Sequence, residues 1–442
     1  MAIDLLSRGS SGYEENRGAF NVLLSQEPAA IVTPHSTGDV VDAIEYAKAE
    51  GLRVGAQRTG HAAEPLGDLS GTLLIRTAAL NTVSIDAERR IARVGAGALW
   101  GDLVPRASEL GLAACHGSSP TVGVVGYSLG GGVGWYGRKH GLQCNQVTAI
   151  ELVDSTGAER RVDAGADAEL FWAMRGGGGD FGVVTAIEFE LLAISEVFAG
   201  ACFFPIERAS EVLHAWHEFT KTAPEEITSI GRMMNFPPIP EIPEPMHGNS
   251  FAIVEAVALL PEAEATELLA PLRGLGPSMD TFATVPPVGI AELHMDPPEP
   301  APYAGQSLLL GDLPDDGIDA LLGAVGPDSG TKLLSVEVRH HGGAMGRGGA
   351  DHGAIDALPG EYLLFGVNIV PVPEAMPPSK QWLGAMKDAM SPWDAGRYLN
   401  FSDEDEDIAV AFPPETVERL RAAKQTYDPE NLFHANHPVV SG

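Results

Sequence analysis

Hydrophobic and polar positions along the chain repeat with two periods, and their order predicts a succession of strands and helices. Residues 29–50, AAIVTPHSTGDVVDAIEYAKAE, predict a β-branched strand and a turn at Pro34. Ser36-Thr37-Gly38-Asp39 then caps a helix that carries Val40, Val41, Ile44 and Ala47 on one face. A second strand starts at 51–55, so a strand, helix, strand unit delivers the chain to His61. Residues 72–98 predict two strands around a turn, and 99–111 a helix with Leu99, Leu103, Ala107 and Leu110 at helical spacing. Period-two alternation over 144–163, broken by Asp154-Ser155-Thr156-Gly157, predicts a hairpin. The apolar run 170–192 predicts a strand that closes a first domain.

A second region begins with a strand at 197–204 and a helix at 207–222. Further strands at 249–259, 306–311, 333–340 and 361–370, with helices at 261–272 and 315–325, predict an antiparallel sheet backed by helices. Proline-rich loops at 237–245 and 285–303 interrupt it, and loops of that length are candidates for the rim of a substrate cleft or for an insertion without function. A last helix is expected at 413–425. The fold class is α+β, divided into 1–195, 196–395 and a C-terminal segment 396–442 that returns to the first part. No internal repeat is visible.

A chain of 442 residues has room for two buried cores. No apolar stretch reaches the eighteen or so residues that a membrane helix requires. Sixty acidic against 28 basic residues give a formal charge of −32, a field that repels nucleic acid and anionic membrane. The charge is spread over the chain apart from local runs such as Asp403–Asp407, and solubility explains it better than a role in catalysis. The first twenty residues do not read as a secretory signal, and Cys115, Cys144 and Cys202 suit reduced buried thiols, so a cytoplasmic location without a metal site is expected.

Three glycine-rich runs carry the candidate chemistry: AQRTGHAAEPLGDLSG at 56–71, GSSPTVGVVGYSLGGGVGWYGRKHG at 117–141, and LFWAMRGGGGDFGVVTAIEFELL at 170–192. Glycine costs backbone entropy and persists where a side chain would block a turn or a ligand. Backbone N–H groups in such runs are free to meet phosphate or carbonyl oxygens. None of the runs fits GxGxxG after a first strand, nor GxxxxGK[ST].

In order, the chain presents Gly60-His61, then Pro120-Thr121-Val122-Gly123 through Gly132, then Glu169 to Thr185, then Tyr398-Leu399-Asn400-Phe401-Ser402-Asp403, and Tyr427-Asp428-Pro429-Glu430-Asn431-Leu432-Phe433. This series resembles the FAD-linked oxidase family that includes vanillyl-alcohol oxidase and p-cresol methylhydroxylase, and within it the berberine bridge enzyme-like oxidases. The resemblance runs from about residue 28 to 437. It implies a two-part FAD-binding domain and a separate substrate domain.

The resemblance also implies roles. The histidine matching His61 is joined covalently to the 8-methyl group of the flavin. Many relatives add a second link from a cysteine, but here that position is Ser119, so a single covalent bond is expected. The family arginine before the glycines is replaced, because the loop reads Gln57-Arg58-Thr59-Gly60-His61. Pyrophosphate contacts then fall to backbone N–H groups with Thr59 and Arg58 or Gln57. Thr121, Val122, Gly123, Gly126, Gly130, Gly131, Gly182 and Val184 are expected around the cofactor, with Tyr127 in place of a family histidine. Val122 stands at a position that gates oxygen in relatives, where valine goes with oxidase activity. Tyr398 is the candidate base, and its phenol requires a neighbouring charge or donor to titrate below its usual value near pH 10. Asn400 is expected on the flavin. His140 matches an active-site tyrosine of relatives and would bind substrate, assist the base or serve structure. By strand alternation, Arg339, His341 and Asn368 are expected to face the cleft.

The implied activity is an FAD-dependent oxidase acting on an alcohol, a sugar or a natural-product intermediate, with a small-molecule substrate and molecular oxygen as its partners. A dehydrogenase or a cyclising tailoring enzyme is the alternative within the class. A flavin-binding protein without turnover is the alternative outside it, because Ala63 stands where some relatives have an active-site tyrosine.

Overall fold

The computed structural model describes residues 4–240 and 242–440; Glu241, within the proline-rich loop at 237–245, lies outside them. Three sheets organise the chain. In the first, the strands Ala30–Val32, Thr72–Arg76 and Arg53–Gln57 run parallel, and Leu5–Ser7 is added antiparallel at one edge. The helix Thr37–Glu50 makes the crossover that parallel strands need. Ser36 starts it with a capping box: its Oγ accepts from the Asp39 N–H at 3.2 Å, and its own N–H donates back to Asp39 Oδ2 at 3.0 Å. Gly51, with φ of 68°, ends it.

The second sheet is antiparallel, in the order Val83–Asp86, Ile91–Gly95, Val183–Glu190, Val147–Val153, Glu159–Val162. The stretch 72–98 thus holds three strands, not two, because Thr72–Arg76 departs to the first sheet. The expectation of strand from residue 170 is also corrected. Ala168–Met174 is a helix, and strand begins only at Val183, beyond the glycine loop. Every residue of 170–174 is apolar, the half-buried Trp172 included, so the sequence shows no period there that separates helix from strand.

The third sheet has nine antiparallel strands, including Val197–Pro205, Ile227–Asn235, Ser250–Ala258, Tyr303–Leu310, Ser335–His340 and Tyr362–Ile369. Helices Ala209–Thr220, Glu262–Arg273, Asp315–Val325 and Met376–Met390 accompany it, and side chains from all four join strand residues in one apolar core around Trp216, Leu269, Leu321 and Met386. The strand Ile227–Asn235 and the helix Met376–Met390 were not anticipated from sequence.

The C-terminal segment packs back onto the first two sheets. The Val54 N–H donates to the Leu432 carbonyl at 2.8 Å, and His434 N–H to the Val54 carbonyl at 2.7 Å. Buried Lys424, on the helix Pro414–Tyr427, reaches Asp180 and Asp428, each at 2.7 Å. That pairing pins the helix beside the glycine loop 176–179. No helix among the described residues is long and apolar enough to cross a membrane.

Candidate active site

A cavity of about 440 Å³ lies where the loops of the two smaller sheets meet the large sheet. Its walls come from the loop after Arg53–Gln57, the glycine-rich stretch 117–133, the glycine loop 176–179, the nine-stranded sheet and the C-terminal segment.

The first wall turns at Gly60, whose φ is 76°. A Cβ there would lie 2.9 Å from Ala19 and 2.7 Å from the Gln57 amide nitrogen, so the turn is restricted to glycine. The turn presents His61 to the cavity, its ring stacked on Phe20 at 3.7 Å and 23°. His61 Nε2 lies 3.2 Å from Thr121 Oγ1, and the His61 carbonyl accepts from the Tyr303 hydroxyl at 3.1 Å. Burial pulls the imidazole down to about 4, against the pull of Asp296, so it is neutral at neutral pH. Gln57, Arg58, Thr59 and Gly60 also line the cavity. The Gln57 amide is occupied by Gln26 and the Gly18 carbonyl, and Arg58 Nε donates to the Gly97 carbonyl at 2.7 Å.

The second wall is the helix Val124–Leu129 with the residues before and after it. Ser119, Val122, Gly123, Gly126, Tyr127 and Gly130 border the cavity, and Gly182 and Val184 face them across it. Tyr127 packs edge-on against Trp100 at 5.3 Å and donates to the Cys115 carbonyl at 3.2 Å. Burial drives its phenol well above the ordinary value. Thr121 and Gly131 stand outside the wall. Thr121 bridges His61 and Ser119, whose Oγ is 2.9 Å away, and Gly131 lies close to the Tyr398 ring, where a Cβ would come within 3.0 Å of it.

Asn400 lines the cavity and donates from Nδ2 to the Tyr127 carbonyl and to the Tyr398 hydroxyl, both at 3.0 Å. It fits only because residue 130 is glycine, since a Cβ there would fall 1.9 Å from Asn400 Oδ1. Tyr398, expected as the base, lies behind the cavity wall and not on it. It is 1 % exposed, and its oxygen accepts from Gly132 N–H at 2.7 Å, Val133 N–H at 3.1 Å and Asn400. Burial pushes the phenol up to about 12 despite those donors. The wall position goes to Phe401, stacked on Tyr398 at 5.7 Å and edge-on to Phe365 at 5.2 Å.

Three other candidates do not line the cavity, which corrects the expected direction of His341 and Asn368. His140 ends the short helix Gly137–His140, outside the cavity lining. His341 lies one residue past the strand Ser335–His340, where alternation no longer sets direction, and its Nε2 turns to the Pro359 carbonyl at 3.4 Å. Asn368 faces the helix Met376–Met390: it donates to Ser379 Oγ at 2.8 Å and accepts from Leu334 N–H at 3.1 Å, while Val367 and Ile369 line the cavity. Arg339 does line it, with its guanidinium 5.0 Å over the Phe401 ring.

Behind Arg339 sits a buried ionic network that the sequence did not disclose. Arg339 pairs with Glu337 at 2.7 Å, and His294 lies between Glu337 at 2.8 Å and Glu255 at 2.5 Å. Arg232 pairs with Glu255 at 3.0 Å. Burial and Arg232 would lower the His294 pKa, but Glu255, Glu337 and Asp296 outweigh them and hold it up at about 9. The imidazole is therefore a cation between two carboxylates. Asp296, which borders the cavity from the 285–303 loop, accepts from Ser118 Oγ at 2.7 Å. Asp403 and Tyr303 border the cavity as well and were also missed.

Two observations test whether these residues suit the FAD that the motifs imply. At Gly126 and Gly178 a Cβ would meet no atom within 4 Å, so a side chain there would occupy space that the glycines leave open. The backbone N–H groups of Thr59, Gly60, His61 and Ala62 donate to no acceptor among the described residues. A row of free donors on a glycine turn is the chemistry a pyrophosphate requires. The residues fit the group.

Residues 28–163 match the family model described as FAD binding domain, and residues 397–440 the model described as berberine and berberine like. The chain is 26% identical over 452 residues to an uncharacterised FAD-linked oxidoreductase of Bacillus subtilis, covering 98% of this chain and 96% of that protein. In structure it is similar to the BBE-like 1 protein of Physcomitrella patens, with a TM-score of 0.87 at 20% identity over 100% of this chain and 98% of that one. It is also similar to glucooligosaccharide oxidase from Acremonium strictum, which carries 6-S-cysteinyl, 8α-N1-histidyl FAD. There the TM-score is 0.81 at 22% identity, over 99% of this chain and 96% of that one.

Proposed function

We propose that the chain is a berberine bridge enzyme-like FAD-linked oxidoreductase, a reading supported by the two matching family models, and that it is an oxidase holding its FAD by one covalent bond to His61. The observation that carries this reading is the state of His61. It is neutral, fixed by Phe20 and Thr121, and its Nδ1 has no hydrogen-bond partner among the described residues. An unprotonated, oriented imidazole is the form that can attack an electrophilic carbon. Ser119 has a hydroxyl where a thiolate would make a second link, and Cys115 and Cys144 are buried, with burial raising both thiols to about 12. A single link is therefore expected.

Thr59, Gly60, His61 and Ala62 would hold the pyrophosphate with their free N–H groups, and Asn400, set by Tyr127 and Tyr398, would meet the isoalloxazine. Bound FAD supplies a two-electron acceptor that returns its electrons to dioxygen, giving hydrogen peroxide. Val122, Tyr127 and Leu399 on the wall exclude water from the reacting carbon. Arg339 places a positive charge at the cavity, held in position by Glu337.

The test is acid precipitation of the purified protein. Yellow colour and one flavin mass should stay with the polypeptide, and His61→Ala should release free FAD. Release from the unaltered protein would overturn the covalent link. Oxygen uptake with peroxide formation on alcohols, sugars or amines tests the oxidase reading separately.

A further inference from the structure

One carboxylate on the cavity wall has no partner. Asp403 lies beside Phe401 in the chain and beside the strand Tyr303–Leu310 in space, where a Cβ on Gly305 would come within 3.1 Å of its Oδ2. Among the described residues no N–H, hydroxyl or cation stands within hydrogen-bond or ion-pair reach of it. The groups facing it are themselves acidic or neutral: Glu64 from the turn Glu64–Leu66, Glu404 next in the chain, and the Tyr303 phenol. Lys387 is bound to Glu404 at 2.6 Å, and Lys380 acts on Glu64. Burial, then Glu64 and Glu404, push Asp403 up to about 7. A mostly buried carboxylate without a donor is costly, and its missing partner must come from outside the chain.

The surrounding wall is apolar, made of Leu334, Phe365, Val367, Ile369 and Phe401. A sugar needs donors and acceptors spread over its hydroxyls, and this face does not offer them. Arg339, the cation nearby, is already paired with Glu337. A protonated amine on an apolar frame supplies both a donor and a positive charge where Asp403 has neither. The net charge of −32 also raises the local concentration of cations.

We propose that the substrate is a compact, largely apolar amine whose ammonium nitrogen is held by Asp403 and gives its proton to it. This rests on the oxidase reading for its chemistry and on the cavity wall alone for its binding. The N–H bond breaks and the proton passes to the Asp403 carboxylate, leaving a neutral amine. The C–H bond on the neighbouring carbon then breaks, and its hydrogen leaves with both electrons for the bound FAD. The nitrogen lone pair closes a C=N bond, and water converts the iminium to a carbonyl compound and a free amine.

The experiment is calorimetric titration of the holoenzyme, under nitrogen, with N-methylbenzylamine and with benzyl alcohol. At pH 8 the amine should bind at least about tenfold more tightly than the alcohol, the scale of one charge-assisted hydrogen bond. Asp403→Asn should collapse that preference to less than about threefold with an unchanged circular dichroism spectrum. In the unaltered protein the preference should fade as pH drops below about 7, where Asp403 takes up its proton. Equal affinity for the two probes, or a preference that survives Asp403→Asn, would overturn the proposal. Cellobiose bleaching the flavin without any amine preference sinks the amine class and leaves the oxidase reading standing. Amine binding without bleaching by any substrate keeps the anchor and sinks the oxidase reading.

Discussion

Replacing Asp403 by asparagine should make the protein more stable, and only above a definite pH. The carboxylate titrates at about 3.8 in the unfolded chain and near 7 in the folded one. Between those values the folded state binds the proton and the unfolded state releases it, so stability falls as pH rises through the window and is flat above it. At about 1.36 kcal/mol per pH unit, the penalty above pH 7 is on the order of 4 kcal/mol, reduced to roughly 2–4 kcal/mol by solvent at the cavity mouth. Asparagine is near in shape and does not ionise, so it escapes the penalty. For a chain of this length each kcal/mol moves Tm by about 1 °C. Scanning calorimetry of the holoenzyme should therefore show Asp403→Asn melting roughly 2–4 °C higher at pH 8, with the gap closing towards pH 4. A gap that ignores pH, or a variant that melts lower at pH 8, would refute the reasoning and reveal a partner for the carboxylate.

Gly130→Ala puts a methyl group where Asn400 Oδ1 now sits, so Asn400 must leave the wall. The purified variant should carry less flavin per polypeptide, measured as the ratio of visible to ultraviolet absorbance. Tyr398→Phe strands two buried N–H groups and should cost about 1–3 kcal/mol in stability. The pH profile of substrate oxidation should keep its limbs, because that phenol does not titrate below about 12. Loss of a limb would support Tyr398 as the base. Glu255→Gln removes one of the two carboxylates that Arg232 and His294 share, leaving Glu337 alone between them, and should cost roughly 3–5 kcal/mol, read as a fall in Tm.

Where a polar pattern or a motif fixed an orientation, the sequence was informative. The helix cap at Ser36 and the hairpin at Asp154 each depend on local residues, and each is found where the chain's spelling puts it. Arg339 reached the cavity because its strand holds a consistent phase. Asn368 did not, because Tyr362–Ile369 is apolar on both faces and an amide can serve a helix contact as well as a cleft. Tyr398 lay two residues from Asn400 in the same motif, yet its direction was set by N–H groups some 265 residues away. Asp403 was hidden in an acidic run that reads as a solvated surface. Nothing local separates it from its neighbours, and only the packing of Tyr303 and Phe401 beside it makes it different. The network around His294 draws on residues from 232 to 339, and no short window contains it.

The bridge between Val54 and the segment at Phe433 sets an order of events in the life of the molecule. Arg53 donates to the Phe433 carbonyl at 2.7 Å across 380 residues of chain. At ordinary rates of synthesis those two residues are made roughly 20–75 s apart. The strand that leads to His61 therefore waits, with one edge unpaired, while the whole nine-stranded sheet is made and pairs. A chaperone has that interval in which to shield the edge, and the pocket receives its last wall, with Asn400 and Phe433, only after the large sheet has been made. A cavity completed by that segment can take up a cofactor only once residues near 433 have been made, so loading follows the large sheet instead of preceding it.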